Sequence, residues 1–150
     1  MKIKQLLITL ISPFILFSCA VPTVKSNDPI ISVPEKDPEL EKAQKDALAN
    51  LDYFIKSFNA HLKDTLFHYS LKVEFVKNEE HEHMWITLKK IINDKFQGIL
   101  DSDPAIIKNI KSGDLVIITK DQIEDWMIID TRTKSWEGGY SVKILEKRHK

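Results

Sequence analysis

The sequence predicts an α+β fold: one long N-terminal amphipathic helix packed on a curved antiparallel sheet of about six strands, with closure into a small barrel left open. Three observations carry that expectation. Apolar residues recur at helical spacing from Leu40 to Leu62; the period then changes to two; and the alternating segments are short, with polar turns between them. Strands joined so tightly pair antiparallel, because parallel neighbours need a crossover of about a dozen residues or more.

Residues 1–37 stand apart from that domain. Lys2 and Lys4 precede the apolar run Leu6 to Phe17, which is shorter than the ~20 residues of a membrane-spanning helix and reads as an export signal over residues 1–18. Leu16-Phe17-Ser18-Cys19 resembles the lipobox of bacterial lipoproteins, although Phe17 is bulkier than usual there. The resemblance implies that the signal is cleaved and that Cys19 carries acyl chains of the palmitate kind. Each buried CH₂ contributes about 0.8 kcal/mol, so two or three chains hold stably where one does not. Ala20 resembles the residue that sorts lipoproteins to the outer membrane, facing the periplasm. Residues 19–37 are then the lipidated cysteine and a tether carrying Pro22, Pro29 and Pro34, about 25 Å long as a coil and about 55 Å if polyproline-like.

Asp37-Pro38 is a helix start: an Asx cap, proline at the first helical position, and Glu39 and Glu41 at the positive end of the dipole. Leu40, Ala43, Ala47, Leu51, Ile55, Phe58 and Leu62 form one stripe, suited to covering a sheet. Ser70 to Val76 alternates as a half-buried strand and is turned at Asn78-Glu79-Glu80. His83 to Leu88 is a second strand and Lys95 to Leu100 a third, with a turn at Asn93-Asp94 between them. After Asp101-Ser102-Asp103-Pro104, residues Ala105 to Lys111 suggest one short helical turn. Leu115 to Thr119, Trp126 to Asp130 and Tyr140 to Leu145 complete six strands. The single α+β domain is therefore placed at residues 38–146, and 147–150 reads as a charged, solvated tail.

The second half carries an ordered set of motifs: Glu82-His83-Met84-Trp85, Phe96-x-Gly98-x-Leu100 with Pro104, Gly113-Asp114, Ile123-x-Asp125-Trp126-Met127 and Gly138-Gly139-Tyr140. Together they resemble the YegJ-like family of bacterial proteins, a domain of unknown function, from about Leu71 to Leu145. The resemblance implies fold and limits, and it brings no catalytic residues with it.

Composition excludes some partners. Acidic and basic side chains number 22 each, and losing Lys2 and Lys4 leaves the chain close to neutral. No basic surplus exists to neutralise phosphates, so nucleic acid is not an expected partner. Cys19 is the single cysteine, which rules out an internal disulfide and leaves no thiol nucleophile after lipidation. No G-x-S-x-G or P-loop pattern is present, and no cofactor is expected.

Two constellations remain. His81 and His83 are two apart on a strand and project from one face, as two imidazole ligands would. Their further ligands would have to come from Glu79, Asp125 or another distant carboxylate, so solvated charge is the preferred reading and no metal is assigned. Asp125 and Trp126, with Gly139 and Tyr140, suggest a polar-lined groove for a peptide or glycan; a turn-capping Asp125 and a core Trp126 are the plainer reading. Trp85 lies on the face opposite Met84, Ile86 and Leu88, and with His83 it extends the candidate binding surface.

The expected function is a non-enzymatic binding or interaction module held at the membrane by lipid, with a protein or peptide as partner; an immunity-type protein is one version. The alternatives are a metal-dependent or other cell-envelope hydrolase using His81, His83 and Asp125, and a structural protein self-associating through the helix stripe.

Overall fold

The computed structural model describes residues 37–148. The expected export signal, Cys19 and the tether up to residue 36 lie outside the described residues, as do residues 149 and 150. Among the described residues no helix is long and apolar enough to cross a membrane.

The chain forms α1 (Pro38–Ala49), α2 (Leu51–Ala60), β1 (Phe67–Lys77), β2 (Glu80–Ile92), β3 (Lys95–Leu100), β4 (Leu115–Ile118), β5 (Ile123–Asp130), β6 (Ser135–Gly138) and α3 (Tyr140–Arg148). The six strands make one antiparallel sheet in the order β4-β3-β2-β1-β5-β6. The sheet is open, so it does not close into a barrel. The class is α+β as expected, with three helices in place of one.

The expected long helix is two. Asp37 caps α1 as the sequence suggests, its carboxylate accepting from the backbone N–H of Glu39 and Leu40. Asn50 then leaves the helical path at ψ 8°, its side chain donates to the Asp46 carbonyl, and its own carbonyl accepts from Tyr53 to start α2. A short amide side chain that can bond the backbone competes with helix propagation, and Asn50 does so between two helices. The break re-aims the stripe. Phe54 is fully buried although it lies off the predicted stripe, whereas Leu62 ends 62% exposed.

Ala47, Leu51, Phe54 and Phe58 cover one face of the sheet, in a single buried cluster with Leu71 and Val73 of β1, Met84 and Ile86 of β2, and Ile118 and Trp126 from the strands to either side. Full burial of a residue such as Leu51 or Phe54 contributes about 1.5–3 kcal/mol, so this layer holds the helices to the sheet. On the opposite face, Trp85, Thr87 and Ile99 stay half-buried and Leu115 and Ile117 exposed, leaving it open to solvent.

Two tight hairpins set the register of the first three strands. Asn78 and Glu79, then Asn93 and Asp94, all adopt positive φ, as a twist-compatible two-residue hairpin turn requires. Residues 105–111 form turns and no helix.

The Tyr140–Leu145 segment, expected as a strand, is the start of α3; the sixth strand is Ser135–Gly138 instead. Short runs such as Tyr-Ser-Val-Lys-Ile-Leu fit either period, and tertiary bonds decide between them. Here the Asp125 carboxylate accepts from the backbone N–H of Tyr140 and Ser141, which satisfies donors that a helix start leaves free. Lys147 and Arg148, read as part of a tail, form the last turn of α3, where Arg148 donates to the carboxylates of Asp37 and Glu39 and ties α3 to α1.

Candidate functional site

Of the four residues expected to form a groove, Trp126 and Tyr140 line an open cleft of about 430 Å³ between α2, β6 and α3, with Gly138 beside them, and Asp125 and Gly139 do not line it. Asn50, Tyr53, Trp136, Glu137 and Lys143 complete its walls. The Tyr53 hydroxyl donates to Glu137 at 2.7 Å, a bond that raises the Tyr53 pKa above the usual phenol value. The Lys143 ammonium lies 5.0 Å from the centre of the Trp136 ring and 5.7 Å from that of Tyr140. Apolar ring faces thus alternate with one anion and one cation, the composition of a site that orients an amphipathic ligand. Among the described residues β6 is the last strand of the sheet on this side, and its Trp136, Glu137 and Gly138 line the cleft.

Two of the residues singled out from the sequence are engaged within the protein. Asp125 is 1% exposed and accepts from Trp126 N, Tyr140 N, Ser141 N and Ser141 Oγ. The Trp126 indole N–H donates to the Ala47 carbonyl at 2.9 Å, and its ring centre lies 5.5 Å from Phe54 and 5.6 Å from Tyr140. Trp126 is therefore the floor of the cleft. Gly138 turns the chain at φ 77°, and a side chain there would have its Cβ 2.2 Å from the Trp126 carbonyl oxygen. Gly139, at φ 57°, is likewise closed against the Trp136 ring.

Tyr53, Trp136 and Lys143 were missed in the sequence. Tyr53 sits off the apolar stripe, and Lys143 was placed on a strand; Trp136, two residues before Gly138, was the available signal.

His83 and Trp85 lie elsewhere, on the open face of β2. His83 Nδ1 is 2.9 Å from Glu124 Oε2, and His81 Nδ1 is 2.7 Å from Glu74 Oε1. Lys72 Nζ is 3.5 Å from Glu124 on its other side. The Glu124 hydrogen bond raises the His83 pKa above its usual value, more than burial opposes it. Burial pushes Glu124 up, but the bond from His83 and the charge of Lys72 prevail and hold it below the usual carboxylate range. Glu79 and Asp125, the carboxylates named as possible partners of the histidines, are not in this group; Glu74 and Glu124 are. Glu82, between the histidines, accepts from the backbone N–H of Ala105, Ile106 and Ile107 and pins the loop after β3.

The arrangement defines a small two-layer α+β domain with helices on one face of an open antiparallel sheet and a recessed aromatic cleft at its edge. The chain belongs to the family described as an uncharacterized protein conserved in bacteria (DUF2314), which matches residues 37–149 and so takes in α1 and α2 as well as the motif-bearing sheet. An uncharacterized protein, YegJ, of Escherichia coli (strain K12) is 32% identical over 106 residues. That match covers 71% of this chain and 66% of the relative, slightly under two thirds of the relative's length. No solved structure matches the chain.

Proposed function

We propose that the chain is a lipid-anchored, non-enzymatic binding module, held by Cys19 at the outer membrane and facing the periplasm, whose cleft beside β6 receives an extended segment of a protein or peptide. The aromatic cleft at a free sheet edge is the observation that carries this reading. An extended chain laid along β6 gains backbone hydrogen bonds from the edge, and its alternate side chains meet Tyr53, Trp136 and Tyr140. Glu137 and Lys143 supply one fixed charge of each sign to set its direction. The tether of up to about 55 Å lets the cleft stand clear of the lipid headgroups.

Crosslinking in the native membrane, followed by solubilisation and mass spectrometry, tests the proposal. A reproducible partner is expected, lost in Trp136→Ala and retained in Trp85→Ala. Recovery of the lipoprotein alone, or turnover of a cell-envelope substrate by the purified protein, would sink it. Cys19→Ser is expected to release the protein from the membrane fraction; retention there would remove the anchor.

A further inference from the structure

We propose that Glu74, His81, His83 and Glu124 form a binding site for a divalent transition-metal ion of the zinc class on the open face of the sheet, separate from the cleft and independent of its occupant. Three strands deliver these side chains. His81 and His83 share a face of β2 by strand alternation, and the β1–β2 register sets Glu74 directly opposite His83. Glu124 comes from β5, where the register shift at Lys72/Val73 accommodates it as the extra residue.

Ligand atoms from Glu74, His83 and Glu124 all lie within 4.8 Å of one another, and the ring of His81 is already bonded to Glu74. Bonds of about 2.0–2.1 Å in a tetrahedral site place neighbouring ligands about 3.3 Å apart. The remaining contraction falls on side chains free to make it: His81 is 54% exposed, His83 45% and Glu74 36%. Glu124, at 17%, is the fixed point about which the others close.

The donor set selects the ion. Two imidazoles favour zinc and its neighbours over calcium or magnesium, which take oxygen ligands. Two carboxylates neutralise a dication without excess charge. Lys72, 3.5 Å from Glu124, is the group that the ion displaces.

The test uses the full chain, purified without a histidine tag and stripped with chelator, then titrated with Zn²⁺ by calorimetry. One equivalent is expected to bind. The His81→Ala/His83→Ala double variant should weaken binding at least about a hundredfold, beyond the 10–100-fold typical of losing a supporting residue. Unchanged far-UV circular dichroism is expected, because both histidines are exposed. Lys72→Met, which removes the cation competing for Glu124, should tighten binding, and it keeps the proposal testable if the histidine variants fail to fold. Absence of Zn²⁺ binding, equal binding by the double variant, or unchanged affinity in Lys72→Met would overturn the site.

Discussion

Replacing Asp125 with alanine should detach α3. Four donors converge on this carboxylate: Trp126 N at 2.8 Å, Tyr140 N at 3.1 Å, Ser141 N at 2.8 Å and Ser141 Oγ at 2.7 Å. Ser141 is itself buried, so alanine at 125 orphans its amide and its hydroxyl. An orphaned buried donor costs about 1–3 kcal/mol, which puts the loss from these two at about 2–6 kcal/mol. Against a total stability of roughly 5–15 kcal/mol that is a large fraction. Asp125→Asn keeps one carbonyl oxygen and should lose about half as much. Urea unfolding followed by tryptophan fluorescence measures the totals. Amide hydrogen exchange supplies the location, because residues 140–148 should exchange faster than the change in global stability requires. A loss under about 1 kcal/mol with α3 still protected would refute the reasoning.

Gly138→Ala forces both a positive φ and a Cβ 2.2 Å from the Trp126 carbonyl, and should lower stability by more than the roughly 1–2 kcal/mol of left-handed strain alone. Gly113→Ala has the same sign of φ with nothing within 4 Å, so thermal melts of the two variants separate clash from strain. In acid, the Arg148 guanidinium beside Asp37 lowers the Asp37 pKa from 3.8 to about 2. A carboxylate depressed on folding contributes stability that is present above pH 3.8 and is lost as pH falls towards 2. Asp37→Asn should therefore flatten part of the acid limb of a stability–pH curve, and Asp130, lowered to about 2 by Arg132, accounts for a further part. An acid limb unchanged in Asp37→Asn would exclude the Arg148 contact.

Local chemistry was legible in the sequence where it acts locally. Asp37-Pro38 starts α1, and Asn78-Glu79 and Asn93-Asp94 turn the hairpins, because cap and turn geometry depend on the residue at the position. The failures share a cause. Asn50 has a moderate helix propensity, and only its side-chain bond to Asp46 and the packing of Phe54 show that the helix ends there. Tyr140 to Leu145 becomes helical through a carboxylate fifteen residues earlier, a contact that no periodicity contains. The aromatic cleft was half visible: Trp126 and Tyr140 were singled out together from the sequence, whereas Tyr53 reaches them only through the fold.

The bulge in β5 connects these observations. Ile123 and Trp126 are three apart, so simple alternation would send them to opposite faces of the sheet. Both are buried against the helices, Ile123 paired with Val73 and Trp126 with Leu71. Two residues of β5 therefore stand where β1 has one, Lys72, and they serve two different masters in the fold. Glu124 meets Lys72 and His83 on the open face, while Asp125 turns to the first amides of α3. With a single residue between Ile123 and Trp126, that residue would lie opposite Lys72 and could not reach both. The adjacent carboxylates in Glu124-Asp125 thus belong to separate structures, one supporting the floor of the cleft and the other contributing to the histidine cluster, and the broken alternation at Ile123 is the sequence trace of that division.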